Sequence, residues 1–310
     1  MRLLTFAHGG YTRAGFAVGD TIFDLAGASR ALGSAGDLTG SLPDSLLFLL
    51  AGGDEAVAAA REVERRAVRA RESGRSIAGP NGERLSFEQS EVQFKAPIQR
   101  PGKIICLGLN YLEHAREGGG QPPKMPMFFA KFANTLIGSG EAIVLAKESN
   151  QIDYEAELAF VMGKRAKHVG LEESLDYVAG YMNLNDISAR DLQRETTQFF
   201  RGKGGDTFGP CGPYLVTKDE VPNAGELSIR SILNGEVMQN SNTRELIFGI
   251  PFLVHHLTKT VTLEPGDIIS TGTPSGVGQA RKPPVFLKPG DVIKVEVEGL
   301  GTLENPCVAE

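Results

Sequence analysis

Three acidic residues spaced two apart, Asp153, Glu155 and Glu157, lead into an apolar run, Leu158 to Met162, that stops at Gly163. The pattern reads as a β-strand that is buried in its second half and emerges at a surface or cleft in its first. Alternate side chains of a strand share a face, so the three carboxylates point one way and Tyr154, Ala156 and Leu158 the other. Like charges so placed repel, and burying them is costly unless something positive sits between them. A divalent cation is the simplest such charge. A solvated strand end with an arginine or lysine partner is the alternative. Asp186 ends a second apolar-alternating segment and precedes a helix-like stretch, Ile187 to Gln198, where an acidic residue at the N-terminus is favourable. It can supply a third carboxylate. Glu155, Glu157 and Asp186, with no Cys or His nearby, describe a site for a hard cation of the Mg²⁺, Mn²⁺ or Ca²⁺ kind.

A second cluster has the types needed for proton transfer. His114 and Glu117 lie three apart, on one face of a short helix between Asn110, a suitable N-cap, and the glycines 118–120, which leave a mobile loop. A Glu that accepts from one imidazole nitrogen leaves the other able to act as a base; the alternative is a surface helix pair. Phe200 to Thr207 is glycine-rich but is no phosphate loop, because Ser or Thr does not follow Lys203. Its glycines let the backbone approach a ligand closely, with Lys203 projecting toward it. Arg190 and Gln193 lie four and seven residues after Asp186, so each braces Asp186 or meets a substrate.

Asp153 to Glu157, Asn185-Asp186, Ser188 to Asp191, Gly202 to Pro210 and Gly212-Pro213 resemble the signature blocks of the fumarylacetoacetate hydrolase family, across residues 100 to 300. The resemblance implies an α+β, β-rich fold, with a C-terminal domain of mixed sheets and short helices behind a small α+β N-terminal domain. It implies that Glu155, Glu157 and Asp186 hold Mg²⁺ or Mn²⁺, that the His114–Glu117 helix is a lid orienting the attacking water, and that Lys203 faces a developing enolate. By the same resemblance Lys131 lines the substrate cleft, although a plain surface lysine fits equally, and Thr273 bonds a ligand carboxylate. The implied reaction is hydrolysis of the C–C bond of an acylpyruvate, giving pyruvate and a carboxylic acid. Alternatives within the family are oxaloacetate decarboxylation or tautomerisation, and hydration or isomerisation of an unsaturated 2-oxo acid. A non-catalytic metal-binding protein is the alternative from another class. A homodimer is expected from the resemblance alone.

The remaining elements are those that must position these groups. Residues 1–26 alternate as a small antiparallel meander. Residues 44–50 and 54–72 read as helices, the second with Val57, Ala60, Val63, Ala67 and Val68 on one apolar face. Short helices are expected over 171–178 and over 245–257, the latter interrupted by Pro251, and a hairpin at Asn234-Gly235. The Pro- and Gly-punctuated stretch 96–102 divides the chain into domains 1–97 and 98–310. Composition is that of a globular protein, with 41% apolar and 23% charged residues. A net charge of −6 without a basic run argues against nucleic acid as a partner. Cys106, Cys211 and Cys307 match neither a zinc motif nor a disulfide framework, which points to a reduced, cytoplasmic setting. The N-terminus turns polar too soon for a signal peptide, and no apolar run approaches the ~18 residues of a membrane span.

Overall fold

The computed structural model describes residues 1–33, 41–117 and 119–310. Gly118, part of the expected mobile loop, lies outside the described residues. The chain begins with β1 (Arg2–His8), β2 (Tyr11–Val18), β3 (Thr21–Asp24), α1 (Leu25–Leu32), α2 (Leu46–Ala51) and α3 (Gly53–Glu72). It continues with β4 (Ser86–Glu88), β5 (Gln93–Lys95), β6 (Ile104–Gly108), α4 (Leu112–Glu117), β7 (Met127–Lys131), β8 (Leu136–Ile137), β9 (Ile143–Leu145), β10 (Ile152–Asp153) and β11 (Ala156–Met162). Then come β12 (Val178–Asn185), β13 (Ser188–Ala189), α5 (Arg190–Arg194), α6 (Phe200–Lys203), β14 (Gly209–Thr217), β15 (Ser228–Leu233), β16 (Glu236–Asn242), α7 (Ile250–Thr258), β17 (Ile268–Ser270), β18 (Val292–Val297) and β19 (Thr302–Ala309).

The fold is α+β and β-rich, as the sequence led us to expect. A 12-stranded sheet runs β4-β3-β2-β1-β14-β12-β11-β17-β6-β7, with β5 beside β1 and β8 beside β14. A 5-stranded sheet, β16-β15-β18-β19-β9, packs against it, and β10 pairs only with β13. Strands from both sides of residue 97 share the large sheet, since β1 hydrogen-bonds to β14.

Strand β11 is buried on both faces, which explains its unbroken apolar run. Leu158, Phe160 and Met162 pack with Ile229, Val295, Val297 and Leu303 of the small sheet. Ala159 and Val161 face the other way, into a core shared with Leu46 and Leu49 of α2 and Ala60 and Val63 of α3. Truncating a core ring such as Phe160 would cost about 3–5 kcal/mol. That burial fixes the strand, and with it the carboxylates at its head.

Several local expectations are corrected. The stretch 187–198 is not one helix: Ser188-Ala189 pairs with β10, and α5 ends at Arg194. Beyond it the Thr196 hydroxyl donates to Gln198 O and accepts from Gln198 N, a local turn that competes with helical hydrogen bonding. The 171–178 helix reduces to a 3₁₀ turn, Ser174–Tyr177. Pro251 does not interrupt α7 but opens it, where its missing N–H costs nothing. On α3, Ala60, Val63 and Ala67 are buried while Val57 and Val68 are only half-buried.

Candidate metal centre and active site

Glu155, Glu157 and Asp186 converge, with one ligand oxygen from each lying within 4.8 Å of the others. Glu157 is on β11, Glu155 just before it, and Asp186 just after β12, the antiparallel neighbour of β11. All three are buried, and of the two expectations for the head of the acidic strand it is the cleft that holds, since Glu155 lines a cavity. Asp153 does not join the other two. It belongs to the β10–β13 ribbon rather than to the large sheet, and its carboxylate accepts from Gly278 N at 2.7 Å, Gln279 N at 3.0 Å and Arg190 Nε at 2.9 Å.

Buried charges need partners. Lys203 Nζ donates to Glu155 Oε2 and Asp186 Oδ2, at 2.7 Å each. Lys131 Nζ donates to Asp186 Oδ1 at 2.6 Å and to Ile187 O at 3.2 Å. Lys131 is thus a fully buried brace of Asp186, not a surface lysine. Arg190 does not brace Asp186. Its Nη2 lies 2.6 Å from Glu155 Oε1, as a charge contact outside hydrogen-bond alignment. Gln193 Oε1 accepts from Arg190 Nη1 at 3.2 Å. The Thr273 hydroxyl donates its one proton to Ala156 O and accepts from Gln239 Nε2.

Glu157 is different. Ser270 Oγ donates to its Oε2, and Gly272 N donates to the same oxygen at 3.0 Å. Its Oε1 is fully buried with no hydrogen-bond partner among the described residues. Burial, and then the charges of Asp186 and Glu155, push the Glu157 carboxyl well above the usual carboxylate range. Burial acts the same way on Glu155, but Arg190 and Lys203 overcome it and hold that carboxyl below its ordinary value. An orphaned, buried carboxylate oxygen in a cluster of three carboxylates, all hard oxygen donors, fits a divalent cation such as Mg²⁺ or Mn²⁺.

The centre opens into a cavity of about 600 Å³ whose lining includes His114, Glu155, Arg190, Gln193, Lys203 and Thr273. Leu107, Met127, Phe129 and Phe199 form an apolar wall. His114 Nδ1 lies 3.2 Å from Glu117 Oε2, the arrangement expected of the pair. Glu117 Oε1 accepts from Gly276 N at 2.9 Å, so α4 is tied to the loop that carries Thr273. Asn110 is a cross-brace rather than a cap: its Nδ2 donates to Thr271 O and Phe248 O. Gly202 serves packing rather than ligand approach, because a Cβ there would come 2.5 Å from Gln193 Cβ.

The fumarylacetoacetate (FAA) hydrolase C-terminal profile matches residues 103–308. The chain belongs to the fumarylacetoacetate hydrolase family. Within the family it is 50% identical, over 73% of its length and 76% of the relative's, to a fumarylacetoacetate hydrolase domain-containing protein 2 homolog of Dictyostelium discoideum. It is 46% identical, over 72% of its length and 70% of the relative's, to the mitochondrial oxaloacetate tautomerase fahd2 of Xenopus laevis. Among solved structures it resembles maleylpyruvate hydrolase from Sphingobium sp. SYK-6 in complex with manganese(II) and pyruvate, with a TM-score of 0.73 and 31% identity over 100% of this chain and 99% of that one.

Sequence reasoning missed Ser270, Gly272 and Gln279 as supports of the centre. Among the residues singled out in the sequence, Thr273 came near them.

Proposed function

We propose that this chain is a divalent-metal-dependent enzyme that interconverts the keto and enol forms of a small 2-oxo acid of the oxaloacetate kind. The observation that carries this reading is Lys203 Nζ, 2.7 Å from both Glu155 and Asp186 and at the cavity floor, where a cation can face an enolate oxygen. The oxaloacetate tautomerase relative supports the same choice of substrate. Glu155, Glu157 and Asp186 would hold Mg²⁺ or Mn²⁺, which when bound supplies Lewis acidity toward the carboxylate and 2-oxo group.

The chain's own residues do the rest. His114, oriented by Glu117, takes a proton from C3. The C–H electron pair becomes the C2=C3 bond, and negative charge moves to the 2-oxygen. Lys203 stabilises that charge from a fixed position, the electrostatic contribution that is usually the largest in such sites. The proton then returns to oxygen, and the reverse sequence regenerates the keto form. Leu107, Met127 and Phe129 make part of the cavity lining apolar, which lowers the local polarity around these interactions.

A second reading is favoured by the His114–Glu117 pair itself. Were water the proton source, the same base would drive attack on the distal carbonyl of an acylpyruvate, as the name of the maleylpyruvate hydrolase neighbour suggests. Stopped-flow absorbance of enol-oxaloacetate with Mg²⁺ or Mn²⁺ tests the first reading. A decay no faster than without enzyme, together with release of pyruvate from acetylpyruvate, would replace it with the second.

The reading includes a homodimer, checked by sedimentation at micromolar concentration. It also includes a reducing compartment: the expected one is the cytoplasm, while the Xenopus laevis relative is named as mitochondrial. The cysteines are free and buried, and among the described residues no helix is long and apolar enough to cross a membrane.

A further inference from the structure

Helix α5 carries a second arginine that the chemistry above does not use. Arg190 and Arg194 lie four apart, on one helical face and about 6 Å apart along the axis. Both line the active-site cavity, together with Thr196 and Gln279. Their charges have different fates. Arg190 is buried and paired with Asp153 and Glu155. Lys203 is paired with Glu155 and Asp186. Arg194 bonds only neutral acceptors: Nη1 donates to Gln279 Oε1 at 3.2 Å, and Nη2 donates to Gln151 Oε1. Among the described residues no carboxylate pairs with it. The two glutamines fix the direction of the guanidinium without consuming its charge. Gln279 is itself anchored, because its backbone N–H donates to Asp153.

We infer that Arg194 receives a second carboxylate of the substrate, so that the enzyme selects a short 2-oxo dicarboxylate over a 2-oxo acid with a neutral tail. The inference rests on the reading of the centre as a 2-oxo acid site. The first carboxylate and the 2-oxo group belong at the Glu155–Glu157–Asp186 end. One helical turn along α5 is the reach of a short diacid, and the planar guanidinium presents two parallel donors to a carboxylate. Leu107, Met127 and Phe129 give the same cavity an apolar part, so a second carboxylate is drawn to the arginine of α5. Arg194 is exposed at the cavity mouth. It therefore meets the substrate on entry and contributes to discrimination, while the buried cations act on the reacting atoms.

The test compares two stable 2-oxo acid mimics that differ in one group. Oxamate has a single carboxylate; N-oxalylglycine is the same molecule extended by a carboxymethyl group. Calorimetry on the Mg²⁺-loaded protein measures both affinities in the wild type, Arg194→Gln and Arg194→Lys. The wild type is expected to prefer the diacid by roughly 10-fold or more, the scale of a charge-assisted pair. In Arg194→Gln that ratio falls toward unity, and in Arg194→Lys it recovers in part. The KM for oxaloacetate rises in Arg194→Gln while kcat changes little. A preference equal in wild type and Arg194→Gln overturns the inference, and so does a wild type that binds both acids equally; either result leaves the 2-oxo acid reading standing. Binding of neither acid by protein that does bind Mg²⁺ overturns that reading and the inference with it.

Discussion

Ser270 Oγ donates to Glu157 Oε2 beside Gly272 N, and Glu157 clusters with Glu155 and Asp186 while its other oxygen is buried without a hydrogen-bond partner among the described residues. The hydroxyl sits outside any ligand set yet helps to hold the Glu157 carboxylate. Ser270→Ala is therefore expected to weaken Mg²⁺ or Mn²⁺ binding about 10–100-fold, the usual scale for a partner behind a metal ligand. Calorimetric titration with metal reads the effect, and unchanged affinity would remove the positioning role.

The donor set itself predicts a metal preference. Chelator-treated protein is expected to be inactive and to recover with Mg²⁺ or Mn²⁺, with no requirement for Zn²⁺, because all three donors are hard oxygens. Glu157→Ala and Asp186→Ala are each expected to abolish metal binding with the fold retained by circular dichroism. Wild-type affinity in both variants would dismiss the assignment.

The raised Glu157 carboxyl has a consequence for stability without metal. Below its ordinary value of 4.5 the group is protonated in both folded and unfolded chains, and it costs nothing. As pH rises past 4.5 the unfolded chain gives up the proton while the folded chain keeps it. The folded state then loses stability until pH passes the raised value. Chelated wild-type protein should lose more melting temperature between pH 5 and pH 8 than chelated Glu157→Gln, which has no such group. Parallel losses would show that Glu157 ionises freely.

The acidic triad was legible in the sequence because strand periodicity places Glu155 and Glu157 together and the second segment ends on Asp186. What surrounds it was not. Ser270 reaches Glu157 only because Ala159 pairs with Ser270 in the β11–β17 register, and register between strands far apart in sequence leaves no local mark. Helical spacing put Arg190 beside Asp186, but the chain is extended through Ser188-Ala189, and the arginine turns to Asp153 and Glu155 instead. Lys131 was expected by resemblance to line the substrate cleft, with a surface lysine as the alternative, because nothing local records that Asp186 lies across from it. The mixed α+β character was expected from the family resemblance, and the alternating segments and glycine turns agree with it. The order of the strands could not, since it depends on contacts such as β1 with β14.

Substitution at His114 tests the proton transfer that both readings assign to it. A positioned base contributes about 10²–10⁴-fold, so His114→Ala is expected to slow enol–keto exchange of oxaloacetate by that factor, with metal affinity unchanged. Glu117→Gln should act in the same direction and more weakly, since it only orients the imidazole. Near-wild-type exchange in both variants, with loss in Lys203→Ala, would move the proton transfer away from His114 and leave the lysine and the metal as the working groups.

The Glu117 carboxylate also depends on the loop it reaches. Its Oε1 is held by Gly276 N and its Oε2 by His114, so the loop orients the base through one intermediary. Gly276 has a φ of +99°, a backbone region that L side chains avoid, and a Cβ there would come 2.4 Å from Met238 O. Gly276→Ala must therefore shift the loop away from β16, and the N–H leaves Glu117. Without that anchor α4 loses its tie to the loop, and His114 samples other orientations. The expected result is a fall in kcat of about 10-fold or more, given that small misplacements of catalytic groups can cost up to ~10²-fold. Metal affinity should be unchanged, because Gly276 touches none of the three carboxylates. A variant with full kcat would show that the loop is passive and that α4 closes by its own contacts. A variant that also loses metal would show that the shift spreads to Gly272 and so to Glu157.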